Sequence, residues 1–78
     1  MFNILIVEDD KNTRKLFSVI LKNHNFTTLT ACDGIMALDI INNNHVDLAI
    51  VDIMMPKMNG FEVCKEIREH SKVPIIML

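Results

Sequence analysis

Two short segments of this chain repeat one pattern. Ile4-Leu5-Ile6-Val7-Glu8 and Leu48-Ala49-Ile50-Val51-Asp52 each run through four apolar residues and stop on an acid. An apolar run with no polar alternation marks a strand buried on both faces, as in a parallel sheet. Such strands need covering layers, and the intervening sequence supplies helices. Asp10 can cap a helix with Leu16, Phe17, Ile20 and Leu21 at helical spacing, broken at Asn23-His24-Asn25. Phe26–Ala31 is a Thr-rich strand, and Asp33-Gly34 is a turn. A second helix places Ile35, Leu38 and Ile41 on one face and stops in Asn42-Asn43-Asn44. Val46–Val51 is the third strand, interrupted by Asp47 near its start. Asp52–Asn59 is a loop, Gly60 opens a helix with Phe61, Cys64 and Ile67 aligned, and Val73–Leu78 is a final strand. The order β-α-β-α-β-α-β implies right-handed crossovers and a parallel sheet.

Composition narrows the function classes. With 78 residues there is room for one domain, and an apolar half is enough for a core. The apolar set is aliphatic, with four Phe and neither Trp nor Tyr. Eight Lys+Arg against ten Asp+Glu give a net charge of −2, which argues against a nucleic-acid or anionic-membrane binder. Apolar runs such as Leu48–Val51 and Ile75–Leu78 are far too short to span a bilayer. Glu8-Asp9-Asp10 cuts off the first apolar stretch before it could serve as a signal peptide. Cys32 and Cys64 form neither a disulfide framework nor a CxxC pair, so a reduced, cytoplasmic protein is expected.

The repeated pattern carries the chemistry. All strands of a parallel sheet end along one edge, so Glu8, Asp9 and Asp52 would share it. If the first and third strands are neighbours, with the second on the far side of the first, a ligand crevice opens between them. That order is one of a few allowed. Three close carboxylates repel, so either one holds a proton or a cation joins them. Carboxylates with backbone oxygens and water suit Mg²⁺. No His or Cys is expected near these strand ends, which argues against zinc or copper. A carboxylate beside Mg²⁺ is also a nucleophile toward phosphorus, giving an aspartyl phosphate. Each acid alone is explained by helix capping or solvation; the set, at equivalent strand ends, is read as a joint site.

These residues resemble the receiver domain of bacterial two-component response regulators. The resemblance rests on Ile4–Asp10, on Asp33-Gly34 with Ala37-Leu38, on Asp47–Gly60 and on Val73–Leu78, and is most specific from Asp52 to Gly60. It implies a flavodoxin-like, three-layer α/β fold with strand order 2-1-3-4. By resemblance Asp52 is the phosphoacceptor. Asp9, Asp52 and the main-chain carbonyl of Met54 bind Mg²⁺, with Glu8 acting through water. The phosphoryl donor is a phosphohistidine on a sensor histidine kinase, or a small phosphodonor, and the kinase docks around Asn12 to Lys15.

The resemblance covers the N-terminal two-thirds of a receiver. The family's phosphoryl-contacting Ser or Thr falls just past Leu78. Its Lys on the fifth strand, its last two helices and any output domain lie outside residues 1–78. The expectation is weak Mg²⁺ binding, impaired phosphorylation, and self-association or element exchange through an exposed fourth strand. Two other classes compete with this reading. A haloacid-dehalogenase-like phosphatase needs an acid two residues after its nucleophile, where this chain has Met54. A receiver-like interaction module would not need the acid set. Structural roles are expected elsewhere: Pro56 stiffens the Met54 loop, Gly34 frees a turn, and Gly60 allows a tight helix start. Met54, Met55 and Met58 pack, Cys32 and Cys64 are small buried hydrophobes, and His24, His45 and His70 lie in connections or at a helix end. Lys57 belongs to a different loop from the family Lys.

Overall fold

In the computed structural model, which describes residues 1–55 and 58–78, the chain runs β1 Asn3–Val7, α1 Lys11–Asn23, β2 Thr27–Ala31, α2 Gly34–Asn43, β3 Leu48–Val51, β4 Met54–Met55, β5 Met58–Asn59, α3 Gly60–His70 and β6 Ile75–Met77. The roles expected for Pro56 and Lys57, and for the side chains of Met54 and Met58, lie outside what is described.

The four longer strands form one parallel sheet in the order β2-β1-β3-β6, which is the 2-1-3-4 order. β1 is central, with Val7 in register with Ala31 on one side and Val51 on the other. The alternation of side chains along a strand divides the apolar set between two faces. Leu5, Val7, Ala31, Ala49 and Val51 join Ala37 of α2 and Val63 and Ile67 of α3 in one buried cluster. Ile4 and Ile6 are equally buried but turn to the other face, where Ser18 of α1 hydrogen-bonds Thr28 at 2.8 Å.

Each helix begins where a short polar side chain accepts a first-turn N–H. Asp10 accepts from Thr13, Asp33 from Met36 and Asn59 from Phe61. α1 ends with Asn25 at φ 69°. Phe26 N–H donates to Leu21 O and Asn25 N–H to Lys22 O. This is the Schellman arrangement, with Asn at the left-handed position. At the opposite end of the sheet the Asp47 carboxylate bridges Asn3 N–H (2.7 Å) and His45 Nε2 (2.7 Å), fixing the start of β3 against β1.

Several expectations about packing are corrected. Ile35 is 80% exposed and Phe61 59% exposed. Each lies two residues, about half a helical turn, from the inward residue, Ala37 in α2 and Val63 in α3. α1 buries none of its residues: Leu16 and Ile20 are exposed and Phe17 and Leu21 half-buried. Cys32 is exposed and Cys64 only partly buried. Gly34 has no positive φ; a Cβ there would simply touch Val63 at 3.4 Å. The segment expected as a plain loop after Asp52 contains a two-rung antiparallel pairing, Met54 with Asn59 and Met55 with Met58. Met55 itself is buried in the core.

Candidate functional site

The strand register sets the carboxyl edge of the sheet. Because Val7, Ala31 and Val51 are aligned, the next residues, Glu8, Cys32 and Asp52, stand side by side at three strand ends. Main-chain hydrogen bonds continue past the strands and hold them there. Glu8 N–H donates to Ala31 O at 3.0 Å, Asp52 N–H to Val7 O at 3.3 Å, and Ile53 N–H to Leu78 O at 3.2 Å. The chain leaves β1 toward β2 and leaves β3 toward β6, so the strand order reverses between β1 and β3. That is where an open α/β sheet offers a ligand crevice.

Glu8 is 3% exposed and is the buried charged residue among those described. Its carboxyl is pushed up to about 7, first by burial, then by a hydrogen bond with the Asp52 carboxyl, with Asp9 adding a further contact. The Asp10 N–H, 3.3 Å from Glu8 Oε2, pulls the other way. Glu8 and Asp52 thus stand at neighbouring strand ends, with Asp9 directly after Glu8. Met54, the fourth expected site residue, begins β4 two residues after Asp52.

The donor set fits a hard cation. A buried carboxyl against two other acids holds a proton unless a cation offsets the charge. Among the described residues no three His, Cys, Asp or Glu side chains are spaced as a ready metal cage. Carboxylate oxygens are the donor type that Mg²⁺ takes while keeping several of its own waters. The expectation that no Cys lies near the strand ends is corrected. Cys32 follows β2 directly, but its thiol turns toward Asp33 and Met36, 3.8 Å from each, because the chain there bends into α2.

Two residues of the site were missed or only half-read from sequence. A Cβ on Gly60 would stand 2.5 Å from Ile53 Cα and 2.6 Å from Asp52 O. Gly60 is thus required by close backbone approach beneath the acid, beyond the tight helix start that was expected. Arg14 donates through Nη1 to Glu8 O at 2.8 Å and Asp9 O at 3.3 Å. The available signal was its place in the first turn of α1, where the helix dipole disfavours a cation and a specific partner must compensate.

Residues 4–78 match the family model described as the response regulator receiver domain. The probable transcriptional regulator ycf27 of Cyanidium caldarium is 46% identical over 76 residues, covering 97% of this chain and 30% of that protein. The heme response regulator HssR of Staphylococcus epidermidis is 44% identical over 78 residues, covering 100% of this chain and 35% of that one. The chain thus spans about a third of the length of these curated relatives. Response regulator protein TrrA of Thermotoga maritima, solved in complex with Mg²⁺-BeF, matches with a TM-score of 0.88 and 38% identity, over 99% of this chain and 68% of that one. A second TrrA structure, in complex with histidine kinase ThkA, matches at 0.87 and 37%, over 99% and 67%. No helix among the described residues is long and apolar enough to cross a membrane.

Proposed function

This chain belongs to the response regulator receiver domain family, a signalling family, and we propose that its residues 1–78 form the N-terminal two-thirds of a receiver that accepts a phosphoryl group on Asp52 from a sensor histidine kinase. The observation that carries this reading is the placement of buried Glu8 and of Asp52 at adjacent strand ends, at the crevice between β1 and β3. TrrA, similar over nearly the whole of this chain, is known both with Mg²⁺-BeF and with a histidine kinase.

The chemistry assigned to these residues is a displacement at phosphorus. An Asp52 carboxylate oxygen attacks the phosphoryl group of a phosphoimidazole. The new P–O bond forms as the P–N bond breaks, and the departing imidazole takes a proton from solvent. Asp9, Asp52 and the Met54 carbonyl would hold Mg²⁺ directly, and Glu8 through water. When bound, that ion offsets charge on the phosphoryl oxygens. Glu8 carries the proton at the acid edge and, being buried, keeps that edge poised between a proton and a cation. Gly60 lets the main chain at Asp52 and Ile53 lie close against the start of α3.

In the resemblance, the hydroxyl and the Lys that contact the phosphoryl group come after β6. The 78 residues by themselves are therefore expected to label slowly. A cytoplasmic setting suits the reading, since the thiols of Cys32 and Cys64 are free. Titration with Mg²⁺, followed on amide resonances, tests the cation half of the proposal. Shifts confined to Glu8, Asp9, Asp52 and Met54 support it. Silence at those positions overturns it in favour of an interaction module without phosphotransfer.

A further inference from the structure

Three consecutive main-chain carbonyls, those of Glu8, Asp9 and Asp10, accept hydrogen bonds from one residue. The Arg14 guanidinium reaches Glu8 O at 2.8 Å and Asp9 O at 3.3 Å. The Arg14 main-chain N–H reaches Asp10 O at 2.9 Å as the first helical bond of α1. We propose that Arg14 is the positioning residue for Glu8 and Asp9, fixing the loop so that both acids present to one cation. The inference rests on the reading of these acids as a cation site and deepens it.

A peptide unit is planar, so holding a carbonyl fixes the plane, and fixing successive planes sets where the intervening Cα–Cβ bonds point. Asp9 lies between the two planes that the guanidinium holds, and Glu8 lies between the first of them and the Val7–Glu8 plane, which the sheet holds through Glu8 N–H to Ala31 O and Asp52 N–H to Val7 O. Asp10 adds a second tie, because its carboxylate caps Thr13 at 2.8 Å and its N–H faces Glu8 Oε2. The loop is therefore clamped from α1 by one terminal nitrogen of half-buried Arg14, whose N–H bonds are held in a fixed plane and which reaches one bond further from the main chain than a lysine ammonium.

Charge and clamp act on cation binding with opposite sign. As a bare positive charge near the acids, Arg14 opposes a divalent cation, and removing it would tighten binding. As a clamp it pre-arranges the ligands, and removing it weakens binding. Outer groups that orient metal ligands commonly change affinity by about 10–100-fold.

The test is Mg²⁺ titration of the ¹⁵N-labelled chain and of Arg14→Met and Arg14→Lys, with hydrogen exchange of the metal-free proteins. Weakening of about tenfold or more in Arg14→Met, not restored by Arg14→Lys, supports the proposal. So does faster exchange at the Asp9 and Asp10 amides with Leu5 and Ile6 unchanged. Unchanged or tighter Mg²⁺ binding in Arg14→Met, or recovery in Arg14→Lys, overturns it. Should Arg14→Met fail to fold, Arg14→Gln replaces it, with the same outcomes. If the parent chain shows no localised Mg²⁺ shift while the loop amides still exchange faster in the variants, the cation reading fails and the clamp stands. If neither responds, both fail.

Discussion

The α-carbon of Gly60 lies so close to Asp52 that a methyl group on it would stand 2.6 Å from the Asp52 carbonyl oxygen and 2.5 Å from Ile53 Cα. Those neighbours are main chain, held in turn by the Asp52–Val7 and Ile53–Leu78 hydrogen bonds, and cannot yield as a side-chain tip would. Gly60→Ala should therefore destabilise the chain by roughly 1–3 kcal/mol, the range for forced overpacking. It should also shift the Asp52 and Ile53 amide resonances. Gly34→Ala is the control. Its methyl would meet side chains alone, Val63 at 3.4 Å and Glu66 Oε2 at 3.8 Å, and replacing Gly in a helix should leave stability equal or raise it by up to about 1 kcal/mol. Urea midpoints of the two variants check the contrast.

Burial and Asp52 raise the Glu8 carboxyl from 4.5 to about 7. A folded-state value above the unfolded one means the native chain holds the proton more tightly. The associated stability is fully present below about pH 4.5 and is lost as pH rises toward 7. The metal-free chain should thus be more stable near pH 5 than near pH 7.5, by on the order of 3 kcal/mol at most. Glu8→Gln should flatten that slope. Asp10, held low chiefly by its hydrogen bonds to Thr13, and Asp47, held low chiefly by Asn3 N–H, act in the opposite sense. Their stabilisation is present above their ordinary 3.8 and is lost in stronger acid. Thermal melts from pH 3 to pH 8 read both limbs.

Asn25 closes α1 at φ 69°. Ala at that position carries a penalty of roughly 1–2 kcal/mol for the left-handed conformation, while Gly carries none. Asn25→Ala should lower the unfolding midpoint and Asn25→Gly should hold or raise it. Equal loss in both would show that the Asn side chain matters more than the backbone geometry.

Ile76, Met77 and Leu78 are exposed at the outer edge of the sheet, on the strand that pairs only with β3 among the described residues. An apolar edge with free main-chain groups invites pairing with a second copy. The 78-residue chain should self-associate with rising concentration, and Ile76→Lys should reduce this. Light scattering over a concentration series measures it; a monodisperse monomer throughout would contradict the expectation.

Much of the fold was legible because strand and helix periods differ, because Asp10 is a strong capping residue and because Asp33-Gly34 is a turn signal. The strand order came through the family resemblance, since the residues alone left several orders open. The inward faces of α2 and α3 were misread at Ile35 and Phe61. Both are large apolar residues in a first helical turn, and hydropathy alone outweighed the smaller Ala37 and Val63 that face the sheet. At the site, Glu8, Asp9 and Asp52 were legible because β1 and β3 end on them in the same register. Arg14 was not, since its partners are main-chain carbonyls that no side-chain pattern encodes. The Met54–Asn59 and Met55–Met58 pairing is too short to produce a periodic signal.

The most direct test of the central claim is to incubate the chain with a small acyl phosphate and Mg²⁺, reduce the product with borohydride, and map the modified residue by mass. The account predicts slow, partial labelling confined to Asp52, dependent on Mg²⁺ and absent in Asp52→Asn. Label at another residue, label undiminished in Asp52→Asn, or no label after prolonged incubation would contradict it.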